Sequence, residues 1–517
     1  MEDERARVFA PRAGFRRLRF PTHDLIAGLS VAVVLIPQAL AYAQLAGMPP
    51  YTGLYAAVLP PIVAAFLASS PHLQTGPVAL TALLTFGALA ALAEPASAEY
   101  VKLAALLAVV VGVARVLVGV LRAGVLAYLM SQSVLIGFMP AAAILIVATQ
   151  LPSALDSDPS VEGVLPRAAW AVGHPGSWSW TAIGLAASTV LLMVGGRRLH
   201  RLFPGVLLAV GGGLGYSLAT DYGGSTIGEI PAELPPLSLD LPWEQLPALA
   251  VGGIVIALVG FAEPAAIART FAALERRRWD ANREFVSQGM ANLAAGVSGA
   301  FPVGGSFSRS SLNRMAGGRT RWSGAITGLA VLAFLPFTSS LESLPTAILA
   351  AIVIASVAGL VQLRPMIEVL RYSRWQSLIM LTTFTLTLLL APHVERALLA
   401  GIGLAILIHL WRELQLELTA AVVDDTLHLR PRGVLWFGTA QNLNDRFLDL
   451  LAEHPEATRL TLHLDGLGRI DLSGALVLKT LVEDARAQLD VSIEDVPRHA
   501  RPLMRRVLPE VSSSNAD

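Results

Sequence analysis

None of the 517 residues is cysteine. That one absence excludes disulfides, thiolate nucleophiles and thiolate metal sites together. Charge is scarce too: Asp, Glu, Lys and Arg make up 15% of the chain, against about 25% in soluble domains. Lysine is almost missing, Lys102 and Lys479 being the only two, so nearly every positive charge is an arginine. The charges sum to zero, and no basic stripe of the kind that tracks nucleic acid stands out. Nor do the polar residues gather into a Ser/His/Asp set, a metal cluster or a phosphate loop. No enzyme activity, metal or cofactor is expected.

What the chain does have is length without charge. No Asp, Glu, Lys or Arg lies between Asp24 and Glu94, and Ala123 to Leu155 is equally bare. A helix needs roughly 20 apolar residues to cross a bilayer, so the first run alone has room for three crossings. Mean hydropathy is +0.59. The Arg-rich start has no cleavable-signal layout and is expected to be a retained cytoplasmic segment, residues 1–23.

Apolar segments fall near 24–46, 51–68, 76–93, 99–121, 125–150, 177–195 and 204–220. They resume near 246–271, 282–300, 306–317, 321–340, 345–361, 376–392 and 395–413. The fold class expected is a polytopic α-helical membrane protein of fourteen spans, as 7+7 inverted repeats (about 24–220 and 246–415). An odd number per half inverts the second half, the usual build of secondary transporters. Loop charge agrees: a cytoplasmic N-terminus puts Arg16, Arg17, Arg19, the Arg197/Arg198/Arg201 cluster, Arg276 to Arg278, Arg319, Arg321, Arg364, Arg371 and Arg374 inside. Past Trp411 charges recur every few residues. Residues 418–511 are expected to form a small α/β domain, with strands at Thr426–Arg430 and Leu460–Leu464 and helices at Asn442–Glu453 and Gly474–Gln488; Ser512 to Asp517 reads as a frayed tail.

Two segments are interrupted by Gly and Pro at matching positions, third in each half. One opens Gln74-Thr75-Gly76-Pro77-Val78-Ala79, with Pro77 expected at a first helical position. The other opens Phe301-Pro302-Val303-Gly304-Gly305-Ser306-Phe307-Ser308-Arg309. Matched broken helices in inverted halves point to a midplane binding site. Each helix start leaves backbone N–H groups unpaired and carries about half a positive charge. Two facing starts would cradle an anion, with Thr75, Ser306 and Ser308 adding hydroxyls and Arg309 a full charge. The competing reading is that Gly and Pro merely kink membrane helices. Glu263, deep in the eighth segment, is the ionisable residue expected either to couple a proton to transport or to form an ion pair with Arg309.

These stretches resemble the SulP anion transporters (solute carrier family 26). The matching runs are Ile36–Ala43 (IPQALAYA), Tyr51–Ala56 (YTGLYA), His72–Ala79 (HLQTGPVA), Glu263 with Ile267–Ala272, and Phe307–Ser310 (FSRS). The resemblance implies a uracil-permease-like fold with a gate part and a moving core. It places the anion between the third and tenth half-helices, with Gln38 and Tyr42 lining the site. Gly76, Pro77, Val78, Ala79 and Ser306, Phe307, Ser308, Arg309 would supply donors. Glu263 stands where relatives hold a coupling carboxylate, and a glutamate favours proton over sodium. Asp465–Gly474 (DGLGRIDLSG) resembles the strand–loop–helix signature of a STAS domain. Ser473 matches the serine phosphorylated in free-standing anti-sigma antagonists, and equally suits a helix N-cap.

The function expected is a secondary anion transporter, sulfate first, by proton symport and alternating access. Bicarbonate or C4-dicarboxylate transport or exchange within the family, or a membrane-anchored STAS signalling protein, are the alternatives. Expected partners are the anion, a proton, the lipid bilayer and a second copy in a homodimer, in a bacterial inner membrane with both termini cytoplasmic.

Overall fold

The computed structural model describes residues 22–126, 131–200, 203–231 and 233–509. Arg16, Arg17, Arg19, Arg201 and the tail Ser512–Asp517 lie outside the described residues. The chain divides into two compact units, one up to Ile402 and one from Gly403.

Each of the fourteen apolar segments carries a helix. In the first half these are α1 (Thr22–Leu45), α2 (Pro50–Leu67), α3 (Ala79–Leu89), α4 (Ala98–Val120) and α5 (Gln132–Leu155). After a short α6 (Val164–Gly173) come α7 (Trp180–Val190), which runs through a π turn at Leu191–Gly195 into α8 (Gly196–Leu199), and α9 (Gly205–Thr220). The second half holds α10 (Leu246–Leu274), α11 (Ala281–Val297), α12 (Phe307–Met315), α13 (Trp322–Phe334) and α14 (Thr346–Val357). It closes with a short α15 (Leu363–Tyr372), α16 (Arg374–Leu389) and α17 (Val394–Glu413). Among the described residues, eight helices are long and apolar enough to cross a membrane by themselves. The third and tenth segments are not among them: α3 has 11 residues and α12 has 9.

The packing obeys a swap between halves. Helix α2 lies on α13 as α11 lies on α4, α1 on α13 as α10 on α4, and α1 on α12 as α10 on α3. In the same way α5 meets α16 as α14 meets α7, while the self-paired contacts α2–α11 and α5–α14 cross the pseudo-twofold axis. This is the contact symmetry of an inverted repeat. It sorts α1–α4 with α10–α13 into one group and α5, α7, α14 and α16 into another.

Close approach within the first group depends on small residues. A Cβ on Gly53 of α2 would lie 1.9 Å from the Ala39 carbonyl oxygen of α1, so only glycine lets the two backbones meet there. The YTGLYA run is therefore a packing motif, and it presses α2 against α1 one residue from Gln38. Small-residue contact is what drives membrane helices together, since lipid is as apolar as leucine.

The second unit holds a five-stranded sheet: β3 (Glu417–Val423), β4 (Thr426–Leu435), β5 (Arg459–His463) and β7 (Asp490–Glu494) follow one another across it, with β6 (Leu467–Ile470) also on β4. Strand β3 is antiparallel to β4; β5, β6 and β7 run parallel to their neighbours. Leu427, Leu429, Leu460 and Leu462 are fully buried against Leu443 and Phe447 of α18 (Phe437–Glu453) and Leu478 of α19 (Leu472–Ala485). A short α20 (Arg501–Val507) completes this unit. The expected strand Thr426–Arg430 and helix Asn442–Glu453 fall inside β4 and α18; the expected strand Leu460–Leu464 overruns β5 by one residue and the expected helix Gly474–Gln488 overruns α19 by three. The N-cap reading of Ser473 does not hold: Asp471 caps α19, accepting the Gly474 amide at 2.7 Å. Aspartate wins because its carboxylate at the cap position also suits the positive end of the helix dipole. Ser473 lies in the first turn, exposed.

Candidate anion site between two half-helices

The two interrupted segments meet. Strand β1 (Thr75–Gly76) pairs antiparallel with β2 (Gly304–Gly305), Thr75 opposite Gly305 and Gly76 opposite Gly304. The Ser306 amide donates to the Gln74 carbonyl at 3.1 Å, and the Gln74 amide donates to Ser310 Oγ at 2.9 Å. Helices α3 and α12 therefore start from opposite ends of one small antiparallel ladder. Pro77 is not at a first helical position as expected. The ladder holds Thr75 and Gly76 extended, Val78 is extended as well, and the helix begins at Ala79.

Arg309 is the one full charge set at this junction by the half-helices. It is 1% exposed. Its Nη1 donates to Gln38 Oε1 of α1 at 3.5 Å, while Nε and Nη2 are buried with no hydrogen-bond partner. Tyr42, one turn beyond Gln38 on α1, is buried at 5% exposure. A Cβ on Gly76 would come within 3.5 Å of Arg309 Nη2, and its φ of +152° is one L side chains rarely adopt. Gly76 thus keeps the first half-helix's approach to the guanidinium open.

The remaining expected site residues divide. Val78 and Ala79 are buried at the start of α3. Ser306 is the N-cap of α12, accepting from the Arg309 amide at 3.5 Å and lying 3.4 Å from Ser308 Oγ. The Thr75 hydroxyl is turned into the protein, accepting from Gln288 Nε2 of α11 at 2.8 Å. Phe307 and Ser308 face outward, into a cleft of about 930 Å³ lined also by Leu29 and Val33 of α1 and by Pro204 and Val206 at the start of α9. Glu263 does not form the alternative ion pair with Arg309; its Oε1 accepts the Phe307 amide at 3.3 Å. It caps the second half-helix from α10, because a carboxylate at a helix start meets both an orphan N–H and the positive dipole end.

Sequence reading missed the groups that hold this junction. Arg115 of α4 is fully buried, and each of its three nitrogens donates to a carbonyl: Nε to Ala257 at 3.0 Å, Nη1 to Val303 at 3.0 Å and Nη2 to Ile256 at 3.2 Å. Asn292 of α11 clasps Val303 from both sides, accepting its amide at 2.9 Å and donating to its carbonyl at 3.1 Å. Gln74 Nε2 reaches Ser323 Oγ of α13 at 3.1 Å. The signal for Arg115 was present, since an arginine inside an apolar run is a functional flag by the same rule that singled out Glu263.

A model of the sulfate permease family matches residues 22–383, and a STAS domain model matches 417–507. A chloroplastic sulfate transporter of Arabidopsis thaliana is 34% identical over 75% of this chain. A probable sulfate transporter of Mycobacterium tuberculosis is 35% identical over 74% of this chain and 69% of its own length. The chain spans 58% of the length of the chloroplastic relative. Among solved structures, the murine Solute Carrier 26 family member A9 anion transporter in an inward-facing state superposes with a TM-score of 0.85 over 95% of this chain and 88% of that one, at 19% identity, a likeness of fold. The transmembrane domain of the cyanobacterial bicarbonate transporter BicA superposes at 0.64, with 25% identity, over 75% of this chain and 98% of that one. With most of its length matched and both broken helices in place, the chain belongs to the sulfate permease family and ends in a STAS domain.

Proposed function

We propose that this protein is a secondary active transporter of small inorganic anions, sulfate first, which it takes up together with a proton by alternating access. The observation that carries the reading is Arg309, a buried guanidinium with Nε and Nη2 unpartnered between two helix starts. An uncompensated buried charge costs several kcal/mol, and an oxyanion compensates it while facing the positive ends of both helices. Gln38 and Tyr42 line the site from α1. The names of the curated relatives support sulfate; the likeness to BicA supports bicarbonate as the second reading.

Glu263 supplies the coupling. Ionised, it places a negative charge at the start of α12, next to the position of the anion. Protonated, it removes that repulsion, so proton and anion each favour the binding of the other, as linkage requires. The cleft beside Phe307 and Ser308 gives the site access from one side, between α1 with α12 and α9, and relative motion of the two helix groups would move that access to the other. The transport part covers 24–415. The STAS domain, 418–511, serves regulation and pairing in a homodimer, with both termini cytoplasmic in a bacterial inner membrane.

Purified full-length chain in liposomes, offered labelled sulfate, bicarbonate, C4-dicarboxylate and chloride under imposed proton or sodium gradients, tests this. Sulfate accumulation driven by a proton gradient is expected. Accumulation with sodium alone removes the proton assignment, and anion-for-anion exchange alone removes symport. Flux of none of the four sinks the transport reading and leaves a membrane-anchored STAS signalling protein.

A further inference from the structure

Away from the half-helix junction, three links between helices come together around a second polar cavity of about 300 Å³. They are residues 68–72 after α2, 275–280 between α10 and α11, continued by Arg283 in the first turn of α11, and 319–321 after α12. Five arginines line it: Arg277, Arg278, Arg283, Arg319 and Arg321. Glu275 is the one carboxylate among the lining residues, and it is already engaged by His72, by Arg277 at 3.7 Å and by Arg314 at 3.9 Å.

The neighbouring acids are engaged as well. Glu284 accepts the Ser69 and Ser70 amides at 3.0 and 2.9 Å through Oε2, its Oε1 being buried with no hydrogen-bond partner. Asp24 accepts the Arg319 and Thr320 amides at 2.7 and 3.0 Å, and Asp280 caps α11 through the Arg283 amide at 3.1 Å. On the cationic side, Arg283 donates to the Leu67 carbonyl at 2.9 Å and Arg321 to the Ala68 carbonyl at 3.2 Å. Among the described residues, the side chains of Arg278 and Arg319 have no partner. The cavity wall adds three buried polar atoms with no hydrogen-bond partner: Ser70 Oγ and His72 Nδ1, in residues 3% and 4% exposed, and Trp279 Nε1. Buried polar atoms are rarely left unpaired without a reason.

We propose that this cavity is a second anion site, distinct from the half-helix junction, and that its ligand carries a phosphate group. Guanidinium forks arriving from the link after α10, the first turn of α11 and the link after α12 suit a tetrahedral oxyanion, which accepts from several directions; a planar carboxylate is satisfied by one fork. Ser70 Oγ then adds a hydroxyl donor, and His72, whose Nε2 is held by Glu275, adds one from Nδ1 only as the imidazolium. The cavity has room for the substituent of a phosphate ester. The same chemistry is offered by a free phosphate compound and by a phospholipid headgroup, and basic pockets between membrane helices on the cytoplasmic side are headgroup sites in general. The position gives the ligand leverage: the 68–72 link runs straight into β1, and 319–321 follows α12. A phosphate held here braces the outer ends of both half-helix segments.

The test uses the full chain in nanodiscs, in two arms. In discs of phosphatidylcholine alone, inorganic phosphate is titrated by calorimetry. In discs with one phosphatidic acid in ten lipids, retained phosphatidic acid is counted by native mass spectrometry. Each arm is run on wild type, on Arg278→Gln with Arg319→Gln, on Ser70→Ala, and on Arg309→Gln. Arg278 and Arg319 are exposed, so their double variant keeps the fold. At least one arm is expected to register binding, with a loss of tenfold or more in the Arg278/Arg319 variant, a smaller loss in Ser70→Ala, and none in Arg309→Gln. Binding in the first arm identifies a free phosphate, and binding in the second a headgroup. Binding in neither arm, binding indifferent to Arg278 and Arg319, or binding lost with Arg309 overturns the proposal. Because Arg309→Gln disables only the transport site, failure here and failure of the transport reading give different patterns.

Discussion

The two half-helices occupy equivalent places in the repeat and are made of opposite materials. Helix α3 reads ALTALLTFGAL, buried along most of its length, and its cap residue Val78 offers no side-chain bond. Helix α12 reads FSRSSLNRM, is capped by Ser306 and Glu263, and turns Phe307 and Ser308 toward the cleft. One contributes backbone dipole and a glycine that keeps space open. The other contributes charge, hydroxyls and a titratable neighbour. Symmetry of fold therefore goes with asymmetry of side chains, and on the function proposed above the anion meets backbone from the first half-helix and charged and hydroxyl groups from the second.

If that division is right, Arg309→Ala should have the largest effect of any single change at the junction. Anion affinity measured by calorimetry is expected to fall at least a hundredfold, about 2.7 kcal/mol, with the protein folded and inserted. An affinity within twofold of wild type would leave the backbone dipoles as the whole site and erase the contrast between the halves.

Glu263→Gln should come next. The amide is a neutral stand-in for the protonated carboxyl and cannot cycle, so proton-driven accumulation should vanish while exchange of anions survives. Uptake against pH should go flat. A mutant that still accumulates sulfate under a proton gradient would move coupling off α10.

A paired substitution at the two caps sharpens the comparison. Ser306→Ala removes the hydroxyl that accepts the Arg309 amide and should cost about 1 kcal/mol of stability, the usual worth of an N-cap. Val78→Ala removes no such bond, so any loss there reports packing alone. Thermal unfolding in the presence and absence of sulfate separates the two. Only the Ser306 variant should also lose part of the sulfate-induced stabilisation.

The smallest effect is expected from removing the STAS domain. Deleting the chain after about Leu416 should leave anion affinity unchanged within twofold and slow transport, because every residue proposed to hold the anion precedes Met315. A tenfold loss, about 1.4 kcal/mol, would show that the STAS domain shapes the anion site.

Much of this was legible in the chain itself, for physical reasons. Bilayer crossing demands long runs without charge, so the helical segments announce themselves. A helix start inside the membrane demands Gly and Pro, so both half-helices could be located and matched. Glu263 and Arg309 were visible because charge is rare where they stand. Three matters were decided only by tertiary structure. Where α3 begins depended on the β1–β2 ladder, a pairing between residues more than two hundred positions apart, which moved Pro77 out of the helix. Which hydroxyls stay free depended on neighbours: Thr75 is taken by Gln288, and Ser306 by its own helix. Arg115, Gln288 and Asn292 act by reaching backbone groups on other helices, and periodicity along one helix cannot say which carbonyl of another will be in reach. The sequence by itself determined the kind of element and the kind of charge at each position. Which donors of Arg309 remain unpaired was decided by packing, because satisfaction of a buried polar group is a property of everything around it.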